Sequence, residues 1–129
     1  INLEAYHRAK TGSLFAGATM AGAAAAGADH MPWGMLGERI GTAYQVADDI
    51  RDVVSEPDEI GKPTGQDAAH HRPSIVEELG MEGAVRRLVE HIEAAVDSIP
   101  DCPGRQTLSE LILAETKRFL PKSLDVRAA

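Results

Sequence analysis

Between Trp33 and Val54 the apolar residues Leu36, Ile40, Ala43, Tyr44, Ala47, Ile50 and Val54 recur at spacings of three and four. That period belongs to one face of an α-helix. No stretch of the chain shows the alternation of a half-buried strand, so the helical period sets the fold class. The same reading predicts a long helix over residues 3–28, ended by Asp29-His30-Met31-Pro32 because proline cannot continue the hydrogen-bond ladder. A short helix over 74–79 carries Ser74 as N-cap with Glu77 three residues on, and Gly80 stops it. A helix over 81–99 buries Ala84, Leu88, Ile92, Ala95 and Ile99, and residues 100–104 form a turn. The last helix covers 107–120 and is closed by Pro121; the tail 121–129 is expected to fray. Residues 56–67, with two prolines and two glycines, form a loop. The expectation is an all-α helical bundle of four or five helices, one domain across residues 1–129.

Within the first helix, residues 12–28 are mostly Ala and Gly. Such a stretch supplies little transfer free energy to lipid, so no transmembrane segment is expected. Small residues instead suit close approach of a neighbouring helix. Net charge of −7 argues against nucleic acid and anionic membranes as partners. A lone cysteine, Cys102, excludes an intrachain disulfide and suits a reducing compartment; with no signal peptide visible, a cytoplasmic location is expected. The chain opens at Ile1, without an initiator Met, directly in a helical pattern, and further chain is expected upstream.

The run Tyr44-Gln45-Val46-Ala47-Asp48-Asp49-Ile50-Arg51-Asp52 places three carboxylates at i, i+1 and i+4. Asp48 and Asp52 stack on one helix face and Asp49 lies about 100° round. Like charges so placed repel, and they sit near the helix C-terminus, where the macrodipole also disfavours anions. Taken alone the cluster fits a solvated acidic face as well as a metal site. Its flanks favour the latter. Lys10-Thr11 lies upstream, and Gly61-Lys62-Pro63-Thr64-Gly65-Gln66-Asp67 follows directly. Acids that hold Mg²⁺, phosphate oxygens on the Mg²⁺, and lysines that neutralise the remaining charge make a site for a metal-bridged polyphosphate.

The segments KTGSLF, YQVADDIRDVV and GKPTGQDAAHHRPSIVEELG, in that order, resemble consecutive motifs of the trans-isoprenyl diphosphate synthases (polyprenyl synthetases). The resemblance covers residues 3–88 and, more loosely, the remainder. Among members of that family the chain most resembles the geranylgeranyl diphosphate synthases of pigment-making photosynthetic bacteria. The resemblance implies the C-terminal half of an isoprenoid-synthase-type fold. It also implies a prenyltransferase of isoprenoid and carotenoid biosynthesis that joins isopentenyl diphosphate to an allylic diphosphate, with Mg²⁺ assisting ionisation. Asp48 would ligate Mg²⁺ directly, with Asp49 and Asp52 ligating it or holding its waters. Lys10 and Lys62 would contact the allylic diphosphate, and Thr11 and Gln45 would line the site near the reacting carbons.

Two departures matter. Where the family has Gly-Lys-x-Thr after the loop aspartate, this chain has His71-Arg72-Pro73-Ser74; Arg72 keeps a charge for diphosphate and Ser74 a hydroxyl. The family's first Asp-rich motif and its N-terminal basic residues are absent from the sequence. The 129 residues alone are therefore expected to be an inactive part of a synthase, forming a homodimer or associating with an N-terminal half. The alternatives are a non-catalytic or regulatory subunit or truncated homologue, and a Mg²⁺-dependent terpene cyclase, against which the KT and GKPTGQD elements speak. Among the remaining residues, His70-His71 is not expected to bind a transition metal, nor Cys102 to act as a nucleophile. His91 and Arg86-Arg87 are expected at the surface, and Trp33 and Phe15 in the core.

Overall fold

The computed structural model describes residues 2–54 and 74–119. The 56–67 loop, Lys62, His70-His71, Arg72, Pro73 and the 121–129 tail lie outside the described residues. Four α-helices and no strand occur among the described residues: α1 (Leu3–Ala25), α2 (Gly34–Val54), α3 (Ile75–Asp97) and α4 (Arg105–Phe119). None of these helices is long and apolar enough to cross a membrane.

The helix ends follow local chemistry. The Asn2 side chain caps α1 by accepting from the Ala5 amide at 3.2 Å. The helix stops at Ala25, three residues short of the expected end, because Gly27 takes a left-handed φ of 82°. Gly27 N–H then donates to the Ala24 carbonyl and Ala28 N–H to Ala23, the paired bonds that close a helix through an αL glycine. A 3₁₀ turn, Met31–Trp33, leads into α2 with Pro32 at its start. The Thr19 hydroxyl donates to the Trp33 carbonyl at 2.8 Å and fixes that turn against α1.

Ser74 caps α3 as the sequence predicts, its Oγ accepting from Glu77 N–H at 3.2 Å. At Gly80 (φ 76°, ψ 170°) α3 kinks, so a first turn and a long second part point differently. Arg105 starts α4 two residues earlier than expected. Its guanidinium folds back onto the end of α3, donating to the Ile99 carbonyl at 3.0 Å and satisfying an acceptor left open there.

Helix α2 is central. Ala43, Val46, Ala47 and Ile50 pack with Ala84, Leu88 and Ile92 of α3, and Leu36 packs with Ala95 and Ile99. Leu36, Ala43, Ala47 and Ile50 of the predicted stripe are buried, Ile40 and Val54 are half-buried, and one residue is exposed. Tyr44 is 41% exposed, because it stands at the border of the stripe, where its ring tilts against Phe15 at 5.7 Å. Trp33 and Phe15, expected in the core, are half-buried.

Helix α1 runs antiparallel to α2. Phe15 lies at Gly37, Gly12 at Gly41 and Arg8 at Gln45. The two backbones meet at Gly37: a Cβ there would lie 2.6 Å from the Ala16 Cα and in collision with the Phe15 carbonyl. The expected close approach exists, but the glycines of α2 make it possible. Gly17 and Gly22, in the Ala/Gly run of α1, have open space where a Cβ would be.

Candidate functional site

The acid run occupies the last two turns of α2. Asp48 and Asp52 are half-exposed, whereas Asp49 is only 4% exposed. A step of one residue turns a side chain about 100°, which carries Asp49 into the seam with α3. There its Oδ2 accepts from the Ile75 amide at 3.1 Å and ties the start of α3 to α2. The three acids therefore divide into an outward pair, one turn apart, and an inward anchor.

Gln45 is one turn before Asp48 and Asp49. Its amide N–H donates to the Arg8 carbonyl at 3.5 Å, so the side chain bridges α2 to α1. From the antiparallel register, Lys10 lies level with residues near Ala43, about 7 Å along the axis from Asp48 at 1.5 Å per residue. Lys10 is exposed and stands two residues from Gly12, which meets α2, so its side chain leaves α1 on the side away from that seam. Thr11 is half-buried next to it.

Among the described residues no group of three or more His, Cys, Asp or Glu side chains converges to hold a metal ion. The outward pair alone nevertheless fits Mg²⁺. That ion is held by one or two carboxylates together with phosphate oxygens and water, rather than by an all-protein cage.

Two cavities flank this face. One, of about 300 Å³, is lined mainly by apolar groups, including Phe15, Tyr44, Ala47, Leu88 and Leu111, with Glu115 and Thr116 at its α4 wall, and suits a mainly hydrocarbon body. The other, of about 210 Å³, lies between α1, α2 and α3 and is half polar, with Arg8, Gln45, Asp49, Arg87 and His91 among its lining. The sequence places His91 and Arg87 on a solvated surface. Arg87 is exposed, but His91 is half-buried. The signal that could have found it is the i, i+4 spacing of Arg87 and His91 on α3.

Burial holds His91 below its ordinary pKa of 6.5, with the charges of Arg87 and Arg39 acting in the same direction and Glu90 against them. The unfolded chain then binds a proton more readily than the fold. The penalty is absent above 6.5 and grows as pH falls through 6.5 towards the depressed folded value. The melting temperature is expected to drop over that window, and His91→Gln to flatten the drop. Equal slopes for the two proteins in a pH series of thermal melts would refute this assignment.

The profile of the polyprenyl synthetase family matches residues 2–103. The chain is 50% identical over 127 residues to a geranylgeranyl diphosphate synthase of Cereibacter sphaeroides, covering 98% of this chain and 44% of that protein. It is 43% identical over 129 residues to a geranylgeranyl diphosphate synthase of Rhodobacter capsulatus, covering all of this chain and 43% of that protein. A farnesyl diphosphate synthase of Geobacillus stearothermophilus is 38% identical over 96 residues, 72% of this chain and 32% of that protein. The chain thus spans less than half the length of these relatives. No solved structure matches it.

Proposed function

Because the chain belongs to the polyprenyl synthetase family, we propose that it is the diphosphate-holding part of a prenyltransferase. The full enzyme would condense isopentenyl diphosphate with an allylic diphosphate to a geranylgeranyl- or farnesyl-type product. The observation that carries this reading is the division of the acids. Asp48 and Asp52 stand half-exposed on one face while Asp49 is turned inward. A helix gains nothing in stability from holding two outward carboxylates one turn apart near its C-terminus, so their placement points to a cation.

In this reading Asp48 and Asp52 hold Mg²⁺, and Asp49 positions them by anchoring α2 to α3. When bound, the cation neutralises diphosphate oxygens and eases departure of that group from the allylic carbon. Lys10 offsets charge on the same diphosphate as a compact cation. Lys62 and Arg72 take the same role from outside the described residues. Gln45, fixed by its bond to Arg8, and Thr11 line the approach to the reacting carbons. These are fixed dipoles and charges, which need no reorganisation when the leaving group gains charge.

Calorimetric titration with pyrophosphate tests the site. Binding is expected only with Mg²⁺, and Asp48→Ala is expected to weaken it by about 1–3 kcal/mol, the scale of lost charged contacts. Equal binding with and without Mg²⁺, or an unaffected Asp48→Ala protein, would rule the site out.

A further inference from the structure

Helix α4 is the least secured element of the described bundle. Helices α1 and α3 pack along α2, but α4 meets the rest mainly through the end of α3. Among the described side chains it buries no apolar residue, whereas α2 buries Leu36 and Ile50 and α3 buries Ala84 and Leu88. Its attachment is one-ended. At its start the Arg105 guanidinium donates to the Ile99 carbonyl at 3.0 Å and to the Val96 and Asp97 carbonyls at 3.5 Å. Leu108 and Ile112 then rest, half-buried, against Leu36, Ala95 and Ile99. Further on, side-chain bonds turn back into the helix itself. The Thr116 hydroxyl donates to the Ile112 carbonyl at 2.8 Å, and Arg118 pairs with Glu115 at 2.9 Å.

Beneath this overhang lies the apolar cavity of about 300 Å³. Phe15, Ala47 and Leu88 of the first three helices form its floor, and Leu111, Ile112 and Thr116 of α4 form its roof. Apolar cavities of about 150 Å³ stay dry and take up benzene or xenon. A void without water gives the side chains around it no partner atoms on one side, and their dispersion contacts are forfeited there. That loss weighs most on the roof. Ala47 and Leu88 are buried in the seam between α2 and α3 whatever fills the cavity, whereas Leu111 is 55% exposed.

We propose that α4 is a lid on this cavity, pivoting at Arg105, which opens apart from the rest of the bundle and locks when a small apolar guest fills the space beneath it. An element with few buried apolar contacts opens at a lower free energy than the core it leans on. Swinging α4 outward breaks neither the α1–α2 seam nor the α2–α3 seam, because the pivot lies at the end of α3. A guest would touch Leu111 and Ile112 above and Phe15 and Leu88 below. It makes those contacts only with the lid down, so it shifts the population towards the closed form. The inference does not rest on the prenyltransferase reading, and neither Asp48 nor Asp52 lines the cavity.

The test is amide hydrogen exchange of the 129-residue protein in low urea, read residue by residue, with and without benzene. Amides of α4 are expected to exchange through an opening at least about tenfold more frequent than that of α2, and with a smaller urea slope. Arg105→Gln is expected to make the α4 opening about tenfold more frequent, through loss of charge-assisted bonds, and to leave α2 as it was. Benzene at ten times its dissociation constant is expected to slow the α4 opening about tenfold. Leu111→Ala, at an exposed position that the fold tolerates, is expected to reduce that protection. Exchange of α4 and α2 amides in one common opening, with one urea slope, would overturn the proposal. Benzene that leaves the α4 opening unchanged would do the same, even if it slowed global unfolding, because a guest would then bind without holding the lid. So would protection by benzene that Leu111→Ala does not diminish.

Discussion

Gly37→Ala is expected to destabilise the fold by about 3 kcal/mol or more, at the upper end of the range for overpacking. The added methyl would meet the Phe15 carbonyl and stand 2.6 Å from the Ala16 Cα. Those are backbone atoms of α1 and cannot rotate away. The helices must separate, and the Arg8–Gln45 bridge between them breaks. Gly17→Ala is the matched control. That position is open, and replacing glycine in an exposed helix interior is expected to stabilise by up to about 1 kcal/mol. Urea unfolding of the two variants decides it. Equal stability would mean that α1 and α2 do not touch backbone to backbone.

The second expected result is binding without turnover. Incubated with labelled isopentenyl diphosphate and an allylic primer, the 129-residue chain is expected to yield no longer prenyl product. In the proposed reading Asp48 and Asp52 would build one side of a metal array, and residues 1–129 hold no second acid-rich motif to build the other. The surface points the same way. Leu14, Met31, Met35, Leu111 and Leu113 are each between 46% and 66% exposed, more large apolar side chains than isolated exposure explains. We propose that further helices of a longer synthase, or a second copy, cover them. Light scattering on the isolated chain is expected to give a mass above 13.8 kDa. Robust product formation by a monomer would end this reading.

The helices were legible because their punctuation is chemical. Gly80 and the Ser74–Glu77 cap each act within a turn or two of themselves, so those boundaries can be read without knowing the packing; Pro32 opens the turn before α2, whereas α1 ends earlier, closed by Gly27. The division of Asp48, Asp49 and Asp52 was not legible. Their side chains are identical, and the difference arises because the start of α3, 26 positions on, arrives beside Asp49. The Ala/Gly run of α1 suggested intimate packing, yet the glycine that requires it is in α2, where the surrounding residues are ordinary. His91 looked like a surface residue because its burial comes from α1 and α2, not from its own helix. What the structure adds to the motif order is that Gln45 and the acid run lie on a helix that packs against the one carrying Lys10 and Thr11.

The kink at Gly80 gives α3 two separable tasks. Its first turn, hung on Asp49, serves the acid-bearing end of α2; its long second part fills the interior with Ala84, Leu88 and Ile92. A straight helix would force one orientation on both, so any adjustment near the acids would be carried, as by a lever, into the packing of the core. With a joint between them, the outer turn can be re-aimed by substitution while the inner contacts keep their fit. Lineages of such proteins can therefore explore changes around the acids with little risk to folding, provided position 80 keeps a residue at ease with a φ of 76°.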